Sequence, residues 1–136
     1  MSFRLTYATM FDPPPEMHQR FDAALLTVRA SLGGRHPLFL NGEDTAAGNY
    51  LARSSPIDSE VHLGEFAVAT EHDAHAAMAA AHEAFPAWRA TPASERVRLL
   101  RRVAEVMEAR VYEIAAALSL EVGKNRMEAL GEAQET

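Results

Sequence analysis

Apolar residues recur at helical spacing through most of the sequence from Thr70 to Glu135, and this pattern constrains the fold more than any other feature. Thr70, followed three residues later by Asp73, predicts the start of a helix. Pro92 predicts a restart, because proline is tolerated at the first helical position, and Gly123 predicts a break. The predicted buried positions of these helices are Ala74, Ala77, Met78, Ala81, Phe85, Trp88, Val97, Leu100, Val103, Ala104, Met107, Val111, Ile114, Ala115 and Leu118.

The last segment, residues 120–136, is predicted to contain a helix that lacks an ending. Its apolar stripe comprises Met127, Ala129, Leu130 and Ala133, and its polar stripe comprises Lys124, Glu128, Glu132 and Glu135. A helix normally ends with glycine or asparagine and with cations in its last turn, whereas this one ends with carboxylates. The pattern therefore favours a helix that continues beyond Thr136 over one that frays.

The first half of the chain is predicted to contain one helix and several short strands. Residues 1–36 read as an extended lead-in that is not helical through Pro13 to Pro15, followed by a helix that ends at Gly33 and Gly34. The apolar stripe predicted for that helix comprises Phe21, Ala24, Leu25, Val28 and Leu32. Residues 37–70 contain the predicted strand pieces Leu38 to Leu40, Gly48 to Leu51 and Gly64 to Thr70, with an Asn41-Gly42 turn.

The predicted fold class is α+β, mainly helical with a small antiparallel β element. No low-complexity linker separates residues 1–36, 37–70 and 71–136, so we expect residues 1–136 to form a single unit whose last helix is unfinished.

Composition and charge exclude several classes of function. The net charge of −6 argues against nucleic acid or an anionic membrane surface as the main partner. The sequence contains no cysteine, so disulfides, thiolate metal ligands and thiol nucleophiles are excluded from this chain. The longest nearly apolar stretch, Ile114 to Leu120, is too short to span a membrane. We therefore expect a soluble, cytoplasmic protein.

The residues alone predict no catalytic, cofactor-binding or metal site. His72, His75 and His82 share one predicted helix, but the last two are about 10 Å apart by helical rise, which suits surface histidines better than a metal pair. Gly123-Lys124 lacks the earlier glycine of a phosphate loop, and no G-x-G-x-x-G dinucleotide motif occurs. The basic cluster of Arg96, Arg98, Arg101 and Arg102 and the acidic row of Glu128, Glu132 and Glu135 are each typical of a solvated helix face.

The order of several short motifs resembles the start of an aldehyde dehydrogenase. These motifs are Pro37 to Glu43, Ser55-Pro56, Gly64 to Thr70, Ala80 to Trp88, Glu95-Arg96 through Leu99-Leu100, and Leu120 to Lys124. Phe3 to Tyr7 and Glu121 to Glu128 are similar to the 1-pyrroline-5-carboxylate dehydrogenase branch, which oxidises L-glutamate γ-semialdehyde. The resemblance implies that this chain is the N-terminal segment of an enzyme with an α/β fold that uses NAD in proline catabolism.

The resemblance also implies which parts this chain lacks. In the family, the cofactor motifs, the cysteine nucleophile and the glutamate base would all follow Thr136, whereas the strand pieces of this chain would contribute to the region of the oligomerisation flap. The chain is therefore expected to bind no NAD and to be inactive by itself. The resemblance places Glu135 near the bound semialdehyde or its amino-acid product, and it implies the missing C-terminal polypeptide or a second copy of the chain as partner.

Two hypotheses remain open on the sequence. The chain is either part of a truncated, interrupted or split dehydrogenase, or a stand-alone helical module, descended from the enzyme, whose apolar faces bind another protein. The sequence leaves open whether the end at Thr136 is biological and whether the chain folds alone.

Overall fold

A computed structural model of the chain describes residues 12–135, which form five helices and five short strands. The helices are α1 (Pro15–Ala30), α2 (Glu71–Ala90), α3 (Ala93–Ala109), α4 (Val111–Val122) and α5 (Arg126–Glu135). The strands are β1 (Gly34–His36), β2 (Leu38–Leu40), β3 (Glu43–Thr45), β4 (Tyr50–Ser54) and β5 (His62–Ala67). The predicted α+β class, mainly helical with small sheets, is confirmed.

The first described helix, α1, begins earlier than the sequence predicts. Pro15 is its first residue, because a proline at this position loses no intrahelical hydrogen bond, so the expectation of a non-helical Pro15 is wrong. Met17 and Phe21 are buried, and α1 ends at Ala30, shortly before Gly33 with its positive φ of 83°. The part of the predicted lead-in from Phe3 to Phe11 lies outside the described residues.

The strands form two small sheets. Strands β2 and β3 pair antiparallel around the predicted Asn41-Gly42 turn, where both residues have positive φ, as a tight two-residue hairpin requires. Strands β4 and β5 also pair antiparallel, with an irregularity between Arg53 and Ser54. The structure adds β1, which pairs parallel with β5 and gives the strand order β1-β5-β4. The larger sheet is therefore mixed rather than purely antiparallel.

The main hydrophobic core lies between α1, α4 and α5. Its buried members are Met17, Phe21, Val111, Ala115, Ala116, Ala129, Leu130 and Ala133. Four of the eight are alanines, whose small side chains let the three helices approach closely. The stripes that the sequence predicts for α4 and α5 are confirmed at Val111, Ala115, Ala129, Leu130 and Ala133.

Helices α2 and α3 contribute no buried residue to this core, so their predicted buried stripes are wrong for this chain. The side chains of Met78, Phe85 and Leu100 are 65%, 54% and 63% exposed. The periodicity correctly identified an apolar face, but nothing in residues 12–135 covers it. No helix in this range is both long and apolar enough to cross a membrane.

The predicted cap of α2 is a complete capping box. The Thr70 hydroxyl accepts a hydrogen bond from the Asp73 backbone N–H at 3.3 Å, and the Asp73 carboxylate accepts from the Thr70 N–H at 2.7 Å. These hydrogen bonds lower the pKa of Asp73 below its ordinary value of 3.8. The larger effect comes from the Thr70 backbone N–H and the smaller from the Thr70 hydroxyl.

We expect replacement of Asp73 with asparagine to reduce the acid sensitivity of α2. Because the folded pKa is lowered, the carboxylate stabilises the helix above the unfolded pKa, and this contribution is lost as the pH falls through the folded value. Circular dichroism of thermal unfolding between neutral and strongly acidic pH should show a smaller decline for Asp73→Asn than for the wild type. Asp44→Asn, at an exposed aspartate of β3, is the matched control. An equal decline in the wild type and Asp73→Asn would contradict this expectation.

Candidate functional site

The candidate site is built where α4 ends and α5 begins. Gly123 ends α4 in the left-handed conformation, with a φ of 76°, and its N–H donates to the Ser119 carbonyl. The buried Ser55 hydroxyl donates to the Leu120 carbonyl at 2.5 Å, which satisfies a carbonyl in the last turn of α4. The connection between β4 and β5 therefore fixes the point from which α5 departs.

Asn125 begins α5 with a second capping box. Its side-chain oxygen accepts hydrogen bonds from the N–H groups of Met127 and Glu128, each at 3.1 Å. The Glu128 carboxylate in turn accepts from the Asn125 N–H at 3.2 Å. Glu128 therefore helps to cap the start of α5. Its negative charge also interacts favourably with the positive end of the helix dipole there.

Arg126 attaches the first turn of α5 to α1. One nitrogen of its guanidinium, Nη2, donates to Asp22 Oδ1 at 2.5 Å, and the other, Nη1, lies 2.8 Å from His18 Nδ1. The guanidinium carbon also lies 4.6 Å from the centre of the Phe21 ring. The Arg126 side chain is only 29% exposed. These polar contacts join α5 to α1, in addition to the apolar packing of both helices in the core.

The outer face of α5 forms one side of an open groove of about 700 Å³. The groove is lined by Lys124, Asn125, Met127, Glu128, Gly131, Glu132 and Glu135. Lys124 forms an ion pair with Glu132, two helical turns further along the chain. Glu135 is exposed, so its carboxylate faces solvent at this groove.

The structure brings together the polar stripe that the sequence predicts. Lys124, Glu128, Glu132 and Glu135 all line the same groove, and Glu135, the residue that the resemblance places near substrate, is among them. Whether Glu135 contacts a substrate stays a prediction. Sequence reasoning missed the roles of Ser55, Asn125 and Arg126. Only the Asn125 cap carries a local signal, an asparagine followed three residues later by glutamate.

The groove offers carboxylates and one amine, so it can bind a cationic or amino group but supplies no strong nucleophile. The histidines of α2 lie elsewhere, and His75 Nε2 is 3.6 Å from Glu71 Oε1 on its own helix. Within residues 12–135, no group of three or more histidine, aspartate or glutamate side chains is arranged to hold a metal ion.

The residues that line this groove do not fit a dinucleotide. Three carboxylates, on Glu128, Glu132 and Glu135, would repel a pyrophosphate. The described part of the chain also has no glycine-rich turn between a parallel strand and a helix N-terminus, the arrangement that normally binds a pyrophosphate.

Comparison of the amino-acid sequence with known proteins identifies relatives of this chain. Residues 44–136 match the aldehyde dehydrogenase family. The chain is similar to 1-pyrroline-5-carboxylate dehydrogenase of Staphylococcus aureus (strain MW2), with 35% identity over 115 residues, which is 85% of this chain and 22% of the relative.

Solved structures give the same result. A mutant of Thermus thermophilus 1-pyrroline-5-carboxylate dehydrogenase matches with a TM-score of 0.89 and 30% identity, over 99% of this chain and 25% of that one. The 1-pyrroline-5-carboxylate dehydrogenase from Thermus with bound NAD matches with a TM-score of 0.88 and 30% identity over the same shares. The chain thus spans about a quarter or less of the length of these relatives.

Proposed function

Because the chain belongs to the aldehyde dehydrogenase family, we propose that it serves as the N-terminal portion of an NAD-dependent 1-pyrroline-5-carboxylate dehydrogenase. Such an enzyme oxidises L-glutamate γ-semialdehyde to glutamate in proline catabolism, here in the cytoplasm. The observation that carries the proposal is the match to the Thermus thermophilus enzyme, at a TM-score of 0.89 over 99% of the chain.

In this proposal the chain contributes structure and one wall of the substrate site rather than the reacting groups. The sequence contains no cysteine, and the groove does not fit a dinucleotide, so the nucleophile and NAD would be held by the remaining polypeptide. The 136-residue chain is therefore proposed to be inactive by itself.

Glu135 is the residue of this chain that we propose to lie near the substrate. It is the last residue of α5, a helix that is attached at its start by Asn125 and Arg126 and packed on the core through Leu130 and Ala133. Its exposed carboxylate can accept hydrogen bonds from the ammonium group of an amino-acid semialdehyde. This geometry supports a role for Glu135 in orienting the amino end of the substrate.

The same proposal assigns a partner to the exposed apolar faces of α2 and α3. The face of α2 includes Met78, Phe85 and Trp88, and that of α3 includes Val97, Leu100 and Val103, each between 43% and 65% exposed. An exposed apolar surface of this kind marks an interface. The solved relatives are about four times as long as the matched segment, so we propose that their remaining part, the C-terminal dehydrogenase polypeptide, supplies the surface that covers these faces.

A chimera tests the proposed function. We expect the purified chain to form no NADH from L-glutamate γ-semialdehyde. Replacing the matching segment of the Staphylococcus aureus enzyme with this chain should give an enzyme that does. Turnover by the chain alone would contradict the proposal, as would a folded chimera that binds NAD but leaves the semialdehyde unchanged.

A split version of the chimera tests the proposed partner. When the chain and the C-terminal polypeptide are expressed separately and mixed, Leu100→Glu should weaken complementation about tenfold or more, since it buries an unpaired charge in the interface. Arg101→Glu, at the adjacent position of α3, is the control for a simple change in charge. A cooperative melt and a monodisperse solution of the chain alone, with no complementation by the C-terminal polypeptide, would instead favour the stand-alone interaction module.

A further inference from the structure

Arg126 is held on α1 by more than a surface ion pair. Its Nη2 donates to Asp22 Oδ1 at 2.5 Å, and its guanidinium carbon lies 4.6 Å from the centre of the Phe21 ring. Phe21 is buried and belongs to the core, so the ring has a fixed position. Arginine suits such a site because its planar guanidinium can stack on a ring and donate to a carboxylate at the same time. The first turn of α5 is therefore attached to a well-packed part of α1.

Helical geometry relates Arg126 to Glu135 at the other end of α5. The two residues are separated by about two and a half turns, so they lie on opposite sides of the helix. Leu130 lies between them and is completely buried in the core. By helical rise, Arg126 is about 6 Å and Glu135 about 7.5 Å from Leu130 along the axis. A tilt of α5 about Leu130 would thus move its two ends by similar amounts in opposite directions.

The three carboxylates of the groove are not equally free to contact a ligand. Glu128 accepts a hydrogen bond from the Asn125 N–H, and Glu132 forms an ion pair with Lys124. The exposed Glu135 side chain has no hydrogen-bond or ion-pair partner within residues 12–135. Its contact with a substrate ammonium group therefore depends on where α5 places this one carboxylate.

We propose that Arg126 is a positioning residue for substrate binding, which acts through α5 to place the Glu135 carboxylate against the ammonium group of an amino-acid semialdehyde. The inference rests on the proposed dehydrogenase function and adds to it the means by which this carboxylate is placed. Without the Arg126 attachment, α5 still packs on the core through Leu130 but is free to tilt. The amino group takes no part in the oxidation of the aldehyde, so the effect falls on KM rather than on kcat.

Steady-state kinetics of the chimera test this role. Arg126→Met keeps an apolar side chain over Phe21 but removes the charge, so the KM for L-glutamate γ-semialdehyde should rise about tenfold while kcat changes less than about twofold. The KM for 5-oxopentanoate, the same aldehyde without the amino group, should stay unchanged. Arg126→Lys keeps a cation for Asp22 and should recover part of the loss, and Asp22→Ala should reproduce the loss from the α1 side.

A double substitution separates positioning from a general loss of structure. If Arg126 acts only through Glu135, Arg126→Met should raise KM no further in a chimera that already carries Glu135→Ala. Arg20→Met is the matched control, because Arg20 also combines an ion pair, with Glu16 at 2.8 Å, and a ring contact, 5.9 Å from the centre of Tyr112. Arg20 joins α1 to α4 rather than to α5, so its replacement should leave both KM values unchanged.

The absence of native cysteine allows the position of α5 to be measured in the 136-residue chain itself. Spin labels on Leu26→Cys, at an exposed position of α1, and on Glu135→Cys report the distance between α1 and the end of α5. Double electron–electron resonance should give a narrow distance distribution that becomes broader or shifted with Arg126→Met but not with Arg20→Met.

The outcomes distinguish this inference from the proposed function. An active chimera whose KM for the semialdehyde is unchanged by Arg126→Met overturns the inference alone, as does an equal rise of KM for 5-oxopentanoate or an unchanged label distance. A wild-type chimera that oxidises neither aldehyde overturns the proposed function and the inference with it. Should the Arg126→Met chimera fail to fold, Arg126→Lys and Asp22→Ala decide by the same comparison of the two substrates.

Discussion

Replacement of Leu130 with alanine is expected to lower the free energy of unfolding by about 3 kcal/mol, within the usual range for a fully buried leucine. Leu130 has no exposed surface and lies in the core between α1, α4 and α5. The same core contains Ala116, Ala129 and Ala133, whose side chains are too short to extend into the space that the lost methyl groups would leave. Met17 and Met127, which belong to this core or pack against it, can fill only part of that space, so a cavity should remain.

Urea unfolding followed by far-UV circular dichroism measures this effect. The matched control is Leu26→Ala, since Leu26 is also a helical leucine but is 73% exposed, and its replacement should change the stability by less than about 0.5 kcal/mol. Equal effects of the two substitutions would show that α5 does not pack against α1 and α4 as the structure describes.

The core could be predicted from sequence where one helix face is buried by other parts of the same chain. The stripes of α4 and α5 identified Val111, Ala115 and Leu130 correctly, because burial by neighbouring helices produces that spacing. The stripes of α2 and α3 have equally clear periodicity, yet Phe85 and Leu100 are exposed. Periodicity shows which face of a helix avoids water, but it carries no information about what covers that face.

The candidate site was predictable only in its local parts. The shared face of Lys124, Glu132 and Glu135 follows from helical geometry, so the sequence predicted the polar stripe, but it gave no sign of the groove that this stripe lines. The contact between Arg126 and His18 could not be inferred from sequence, because the two residues are 108 positions apart. It depends on how α1 and α5 pack against each other in the folded chain.

Strand β1, which the sequence analysis did not predict, also depends on a contact between distant parts of the chain. Gly34–His36 is only three residues long, has no apolar alternation and begins with glycine, so nothing local marks it as a strand. It is extended because it pairs with β5, where Arg35 pairs with Glu65 at 3.1 Å and His36 stacks on Phe66 at 4.7 Å. Strand formation here is a consequence of tertiary contact rather than of intrinsic preference.

The pairing of β1 with β5 depends on Gly64, and Gly64→Ala is expected to lower the free energy of unfolding by about 3 kcal/mol. A Cβ atom at this position would lie 2.6 Å from the Gly34 carbonyl oxygen, which is closer than real Cβ contacts allow. The φ of 153° is also a conformation that side-chain-bearing residues rarely adopt. Since Gly34 is the direct partner of Gly64 in the parallel pair, the two strands would have to separate.

Gly42→Ala separates the two causes of this loss. Gly42 also has a positive φ, 83°, but a Cβ there would meet nothing within 4 Å, so its replacement should cost only the backbone strain of about 1–2 kcal/mol. Gly48→Ala, with neither strain nor contact, should be close to neutral. Urea unfolding of the three variants should rank Gly64→Ala as most destabilising and Gly48→Ala as least. If Gly64→Ala costs no more than Gly42→Ala, the backbones of β1 and β5 do not approach as closely as the parallel pairing requires.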